Sequence, residues 1–311
     1  MINKDKIDYM YLPEGTILNN KYLIQGRLVA KSNLSIIYIA VNKTTKEKVV
    51  IKEFFPQELV LRDLDGKKVF PKNAQLNLLA EKVESFLVEG KLMQKIENPY
   101  IGDCYNYFKE NNTGYIVFKY YQGPNLAAYL NNAELELAEF LDAIFYPLLD
   151  AVEDIHSNGY LHRDLKPANI IYSSAPILID FGSAIEYKKS KPNRRVLTPG
   201  YAPLEFHAKE TEQNPSSDIY SLAAILYYYF TSQVPIPVRK RIIKDSLISP
   251  RKINSKLPKG LAKLIMKNLS LELKERDQSI TKFRLNLKSE YFKIKSKKIV
   301  KSFFNKFDSI I

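Results

Sequence analysis

Tryptophan is absent from this 311-residue chain, cysteine occurs once, histidine three times and glycine 11 times. The lone Cys104 excludes an intrachain disulfide and fits a reducing compartment. Its apolar, aromatic surroundings mark it as a small buried hydrophobe rather than a reactive thiol. No apolar run is long enough for a bilayer. The most hydrophobic stretch, Ile219–Phe230, carries Ser221 and four tyrosines. It falls short of the roughly 20 residues a spanning helix needs, so it reads as a buried helix. The opening MINKDKIDYM lacks the apolar centre of a secretory leader. These absences predict a cytoplasmic protein, soluble as synthesised, with peripheral membrane attachment and secretion as an effector left open.

Acidic residues are scarce as well, 34 against 47 lysines and arginines, a formal charge of +13. The surplus is uneven. Arg239 to Lys263 carries nine basic residues against Asp245 alone, and the last 21 residues carry six lysines against Asp308. A smaller cluster comprises Lys188, Lys189, Lys191, Arg194 and Arg195. Such blocks attract acidic proteins, anionic lipid or nucleic acid without distinguishing them, and a plain solvated surface is the competing reading. At 45% hydrophobic and 26% charged, the composition is that of an ordinary globular protein.

Short β-branched and aromatic runs at Tyr22–Leu28, Ile36–Val41 and Lys48–Glu53 predict strands. A helical pattern spans about Ala74–Ile96, then strands recur near Tyr105–Lys109 and Tyr115–Tyr120. Beyond Gly123 helices dominate: Asn125–Asn131, Glu136–Asn158, Ser217–Ser232, Gly260–Leu271 and Ile280–Leu287. A β-rich first third followed by a helical remainder is an α+β, two-lobed arrangement.

The most specific stretch is His162-Arg163-Asp164-Leu165-Lys166-Pro167-Ala168-Asn169, set between a helix end and the apolar Ile170–Tyr172. Phosphoryl transfer needs these types at this spacing. A carboxylate (Asp164) orients the attacking hydroxyl and accepts its proton. A lysine (Lys166) neutralises the moving group, and a carboxamide (Asn169) holds a metal ion. Without partners Asp164 would be an ordinary turn residue. Sixteen positions later comes Asp180-Phe181-Gly182, after Ile177-Leu178-Ile179. A carboxylate at a strand end suits Mg²⁺ bridging phosphates.

With these motifs the chain resembles the eukaryotic-type serine/threonine protein kinases, in a bacterial subtype, from about Leu12 to Leu287. Further phrases that carry the resemblance are LPEGTILNNKYLI, IKEFFP, FLVEGKLM before NPYI, and YPLLDAVEDIHSNGYLHRDLKPANI. It implies the bilobal kinase fold, with an antiparallel N-lobe sheet plus one helix and a mainly helical C-lobe. It implies residues 1–20 as an extension, 21–119 as the N-lobe, 120–289 as the C-lobe and 290–311 as a basic amphipathic tail. Lys52 matches the lysine that contacts the α- and β-phosphates. Glu89 matches its pairing glutamate, with Glu81 and Glu84 as competitors. The adenine is expected beside Val50, Phe118, Tyr120 and Tyr121, through main-chain contacts. Lys119 stands where such kinases often carry an acid, a change that main-chain recognition tolerates. Glu205, in TPGYAPLE, is expected to pair with Arg276, and Asp218 to brace the catalytic loop. Asp277 replaces a proline common in the family. That architectural set points to protein rather than small-molecule substrates, and Lys166 points to serine and threonine. The cofactors implied are ATP and Mg²⁺, with Mn²⁺ as the alternative.

One element departs from the pattern. Ala30, Ser32 and Ser35 stand where three glycines are expected over the phosphates, and Gly26 comes too early. A substituted residue forced to positive φ costs roughly 1–2 kcal/mol, or about tenfold in affinity if it fell wholly on ATP. The alternative to an active kinase is therefore a pseudokinase, a nucleotide-binding or scaffolding module. Autophosphorylation is expected between Ser183 and Thr198, foremost at Ser190, with Thr198 itself in the substrate-recognition loop. In the tail, Val300, Phe303, Phe304, Phe307 and Ile311 share a helical stripe among lysines. That stripe suits an anionic membrane, a partner protein or the chain's own lower lobe. Nucleic acid ranks last, since charge is its only support.

Overall fold

The computed structural model describes residues 10–28, 33–73, 75–188, 197–208 and 211–307, with side chains as far as 296. Ala30, Ser32, Ser190 and Ile311 lie outside the described residues, as do the side chains of Val300, Phe303, Phe304 and Phe307. The chain divides into two units, Met1–Glu97 with Ile101–Gln122 and Asn98–Tyr100 with Gly123–Ile311.

The first unit begins with strands β1 (Ile17–Leu18), β2 (Tyr22–Leu28), β3 (Ser35–Asn42) and β4 (Lys48–Phe54). A separate hairpin follows, β5 (Val60–Arg62) paired with β6 (Val69–Pro71), then helix α1 (Leu76–Lys95) and strands β7 (Cys104–Glu110) and β8 (Thr113–Lys119). The main sheet is antiparallel in the order β1-β2-β3-β4-β8-β7. Leu12 and Leu18, within the segment set apart as an extension, are buried in this unit's core. Period-two alternation sends Val49, Ile51 and Glu53 of β4 into that core and leaves Val50 and Lys52 on the opposite face. Helix α1 packs on β7 and β8. A Cβ on Gly114 would meet Leu87 at 3.1 Å, and one on Gly90 would meet Ile116 and Tyr107 at 3.0 Å. Glycine at these two places lets helix and sheet approach closely, which sets the position of Glu89.

The inserted hairpin delivers a charge to the core. Arg62 donates from Nη1 to Glu53 Oε1 at 3.0 Å and from Nη2 to Glu53 Oε2 at 2.6 Å. Both side chains are fully buried. Tyr38 and Tyr115 donate their hydroxyls to the same carboxylate, at 2.8 and 2.9 Å. Arg62 further donates to the carbonyls of Met10 and Lys67. One ion pair thus joins the N-terminal segment, the hairpin and three strands of the sheet.

In the second unit, α2 (Leu126–Asn132) is capped by the Asn125 side chain. The single helix expected over Glu136–Asn158 arrives instead as α3 (Leu137–Phe140), a wider π-helical turn at Leu141–Phe145, and α4 (Tyr146–Ser157). Pro147 explains the difference, because it lacks the N–H that would continue the ladder and its ring crowds the preceding turn. Strands β9 (Tyr160–Leu161), β10 (Ile170–Ser173), β11 (Ala175–Leu178) and β12 (Ile185–Glu186) pair as β9 with β12 and β10 with β11. Helix α5 (Pro215–Thr231) is buried over most of its surface, which explains its near-continuous apolar sequence. Asn214 and Ser217 cap its start reciprocally. Helices α6 (Val238–Arg241), α7 (Pro250–Ile253), α8 (Lys259–Asn268) and α9 (Ile280–Phe307) follow, and α9 runs without a break through residue 290. Among the described residues no helix is long and apolar enough to cross a membrane.

Replacing Arg62 by alanine leaves Glu53 charged and buried without its partner, and is expected to cost about 3–5 kcal/mol. The double change Glu53→Gln with Arg62→Met is expected to cost less than Arg62→Ala alone, as read by urea unfolding.

Candidate active site

The residues singled out in the sequence fall in both units. In the first, Lys52 Nζ donates to Glu89 Oε1 at 3.0 Å and Oε2 at 2.9 Å. Glu89 is buried on α1, whereas Glu81 is exposed and Glu84 pairs with Lys109. The choice among the three acids follows from helical phase. Val50 is half-buried on the same face of β4 as Lys52 and lies opposite Phe118 of β8. After β8, Tyr120 stacks its ring under Lys48 Nζ at 4.2 Å. Tyr121 donates its hydroxyl to Asp103 at 3.0 Å, and Lys119 pairs with the same carboxylate at 3.0 Å. Ser35 is buried where β3 begins, opposite Phe54. Burial pushes the Cys104 thiol up to about 12, so it stays protonated.

In the second unit, Asp164 gathers three side chains. Lys166 Nζ donates to Oδ1 at 3.0 Å and Oδ2 at 2.8 Å. Asn169 Nδ2 donates to Oδ2 at 2.9 Å and to the Asp164 carbonyl at 2.9 Å. The Thr198 hydroxyl donates to Oδ1 at 2.8 Å and accepts from Lys166 Nζ at 2.9 Å. Thr198, expected to serve substrate recognition, thus touches the Asp164 carboxylate itself. A threonine twelve residues past the end of β12 gives no sequence signal of that contact. The N–H of Ile179 donates to the Asn169 carbonyl at 2.9 Å, tying this loop to the residue before Asp180. Asp180 has φ 65 and its carboxylate accepts from the Gly182 N–H at 3.4 Å.

Asp218, on α5, sits fully buried beneath the loop. It accepts from the N–H groups of His162 and Arg163, each at 2.9 Å, and from His156 Nε2 at 2.8 Å. Burial alone would raise its pKa, but the His156 hydrogen bond and charge, with the backbone donors, hold the carboxyl below its usual range. His162 is also fully buried, its ring edge-on to Phe181 at 4.8 Å. Burial lowers its pKa despite the acids around it, Asp218, Asp164 and Asp180. Glu205 and Arg276 form a buried fork, Nη1–Oε1 at 2.7 Å and Nη2–Oε2 at 3.1 Å. Asp277, where proline is common, accepts from Lys267, Asn268 and Asn286.

A cavity of ≈ 210 Å³ opens beside Leu197 and Pro199, the neighbours of Thr198, with Val238 and Arg239 on its other side. Arg239 Nε donates to His207 Nδ1 at 3.0 Å at its edge. As for metal, the amide nitrogen of Asn169 is committed to Asp164, so its carbonyl oxygen is the atom that could meet a cation. With the Asp180 carboxylate, that makes a hard, all-oxygen donor pair. Such a pair fits a small divalent ion whose other positions belong to water and phosphate.

Protein kinase domain is the family whose profile matches residues 26–292. The chain is 24% identical over 303 residues to the serine/threonine-protein kinase PknD of Chlamydia caviae, covering 84% of this chain and 30% of that one. It is 25% identical over 277 residues to a probable serine/threonine-protein kinase of Clostridium acetobutylicum, covering 85% of this chain and 39% of that one. The chain therefore spans well under half the length of these curated relatives. A solved apo form of PpkA superposes with a TM-score of 0.75 at 26% identity, covering 89% of this chain and 99% of that one.

Because His162 has a lowered pKa in the folded chain, the unfolded state takes up a proton first as the pH falls below about 6.5. The stability that its neutral form contributes is present above that pH and is lost on acidification. Denaturant unfolding between pH 7.5 and 5 is expected to show a slope of up to about 1.4 kcal/mol per pH unit. The His162→Gln variant is expected to flatten that slope whatever its absolute stability.

Proposed function

The chain belongs to the protein kinase domain family, and from that premise we propose that it is an ATP-dependent serine/threonine protein kinase. The observation that carries the reading is the set of side chains gathered on the Asp164 carboxylate: Lys166, Asn169 and Thr198. In this reading Asp164 accepts a hydrogen bond from the substrate serine or threonine, aims its oxygen at the γ-phosphorus of ATP and takes its proton. The oxygen–phosphorus bond forms as the bond to the ADP oxygen breaks. Lys166 offsets charge on the transferring phosphoryl group, and Thr198 keeps the carboxylate turned until the substrate hydroxyl replaces it.

Lys52, oriented by Glu89, holds the α- and β-phosphates. Val50, Phe118, Tyr120 and Tyr121 flank the adenine, and Ala30, Ser32 and Ser35 belong to the loop over the phosphates. Asn169 and Asp180 would hold a divalent ion, Mg²⁺ before Mn²⁺, which when bound neutralises phosphate charge. The arginine that precedes Asp164 and the basic cluster before Thr198 favour autophosphorylation in that segment. The non-catalytic alternative rests on the replaced glycines at Ala30, Ser32 and Ser35 alone, since Lys52, Glu89, Asp164, Asn169 and Asp180 are all present.

Purified chain incubated with Mg²⁺–ATP and a basic protein substrate is expected to incorporate phosphate on serine and threonine. Asp164→Ala is expected to lower the rate by about 10²–10⁴-fold while nucleotide binding persists. Nucleotide binding by the unaltered chain with no incorporation on any substrate, itself included, would overturn the reading.

A further inference from the structure

The stretch from Val234 to Lys263 has no part in the chemistry above, yet it concentrates the chain's charge imbalance. It holds nine lysines and arginines and a single acid, Asp245. That acid is neutralised from within. Arg241 is buried, donates to Asp245 from Nε at 2.9 Å and Nη2 at 2.8 Å, and also donates to the Tyr220 hydroxyl at 3.2 Å. Arg239, Lys240, Lys244, Lys252 and Lys256 remain exposed. Asp245 is itself half-exposed, but its charge is matched by Arg241 at 2.8 Å, so the outward field of this region is net positive.

Among these cations the turn after α6 puts aliphatic side chains into water. Ile243 is 92% exposed and Ile242 is 56% exposed, while Ile248 and Val234 are each about half exposed, at 49% and 48%. Single exposed apolar residues are ordinary, but two adjacent isoleucines on a turn, ringed by lysines, are a partner-seeking combination. The chemistry of the stretch selects the partner. It contains no phenylalanine, tyrosine, tryptophan or histidine. It therefore offers neither a stacking platform for single-stranded nucleic acid nor the aromatic anchors that dominate protein interfaces. Branched aliphatic tips with long basic side chains around them match the boundary between acyl chains and phosphates. There the tips leave water, and the ammonium and guanidinium groups stay at headgroup level.

We propose that the Ile242–Ile243 turn and the basic residues around it form a docking surface for anionic lipid membranes. Attachment is at the surface, by shallow insertion of the turn with Lys240, Lys244 and Arg239 facing lipid phosphates. Arg239 and Val238 also line the cavity beside Pro199, so docking brings that cavity close to the lipid. The proposal needs no phosphoryl transfer and stands apart from the kinase reading.

The test is co-sedimentation of the full chain with phosphatidylcholine vesicles, with and without phosphatidylserine. The unaltered chain is expected to bind only the anionic vesicles, more weakly as salt rises. Ile242→Ser with Ile243→Ser, exposed positions that leave the fold intact, is expected to weaken partitioning about tenfold. Lys240→Glu with Lys244→Glu is expected to weaken it at least as much, with unchanged thermal unfolding in both variants. Undiminished binding by the isoleucine double variant overturns the proposal. So does binding abolished only by replacing the tail lysines Lys297, Lys298 and Lys301. Equal binding to neutral vesicles, or retention on polynucleotide with none on lipid, overturns it as well.

Discussion

A buried carboxylate that accepts two consecutive backbone N–H groups is the constraint on which the second unit's chemistry depends. Asp218 takes its hydrogen bonds from His162 and Arg163, and Arg163 lies at φ 67, in the left-handed region. A non-glycine residue there costs roughly 1–2 kcal/mol. Hydrogen bonds to a charged acceptor contribute about 1.5–3 kcal/mol each, so two of them are enough to offset the strain. The bend they enforce turns the chain out of β9 and presents Asp164, on which Lys166, Asn169 and Thr198 then converge. Asp218 is itself immobile because α5 is buried along most of its length and its start is capped by Asn214. Arg276, forked onto Glu205, also reaches the Ser216 carbonyl in the first turn of α5. The order of dependence runs from a buried helix to a carboxylate, to a bent loop, to the Asp164 side chain.

The first unit places two ion pairs from adjacent residues of one strand on opposite faces, and gives them different chemistry. Glu53 faces the core and is locked by an arginine, whose planar fork engages both carboxylate oxygens and cannot rotate without losing both. Lys52 faces away from that core and pairs with Glu89 through a single ammonium, with more exposure than the Glu53–Arg62 pair. A lysine is a compact charge on a flexible stem, so its ammonium can change direction while the strand stays in place. An arginine at Lys52 would be too committed, and a lysine at Arg62 would leave part of the network unmet. Position in the strand's alternation thus divides residues that hold the sheet together from those that face away from its core.

Much of this was legible in the sequence. The β-rich first third, the helical remainder and the kinase fold that the family match bears out were written in period-two and helical runs. The stretch around His162–Asn169 announced its chemistry because charged and amide residues recur there at fixed intervals between apolar elements. The Glu53–Arg62 pair was not legible. Its members are nine positions apart on different elements, and Arg62 reads as a loop charge until β5 and β6 fold it inward. Thr198 escaped for a similar reason. Its contact with Asp164 spans 34 positions, and no local pattern marks a hydroxyl that closes such a distance. The break in the helix over Glu136–Asn158 was foretold by Pro147, but an otherwise unbroken apolar period masked it.

Desolvation sorts the remaining charges. Burying an ion costs several kcal/mol unless a partner is supplied in good geometry, and the buried acids described here each have one. Glu53 has Arg62, Glu205 has Arg276, Asp277 has Lys267, and Asp218 has His156 with two backbone donors. Pairing removes acids and bases in equal numbers, so it cannot reduce the surplus of +13; it can only decide where that surplus is displayed. Between residues 239 and 263 the sole acid is the one held by an inward-facing arginine, and the excess there has nowhere to go but out. The positive surface is thus a consequence of how the interior was made neutral, and its placement around two exposed isoleucines is a property of this chain's own sequence.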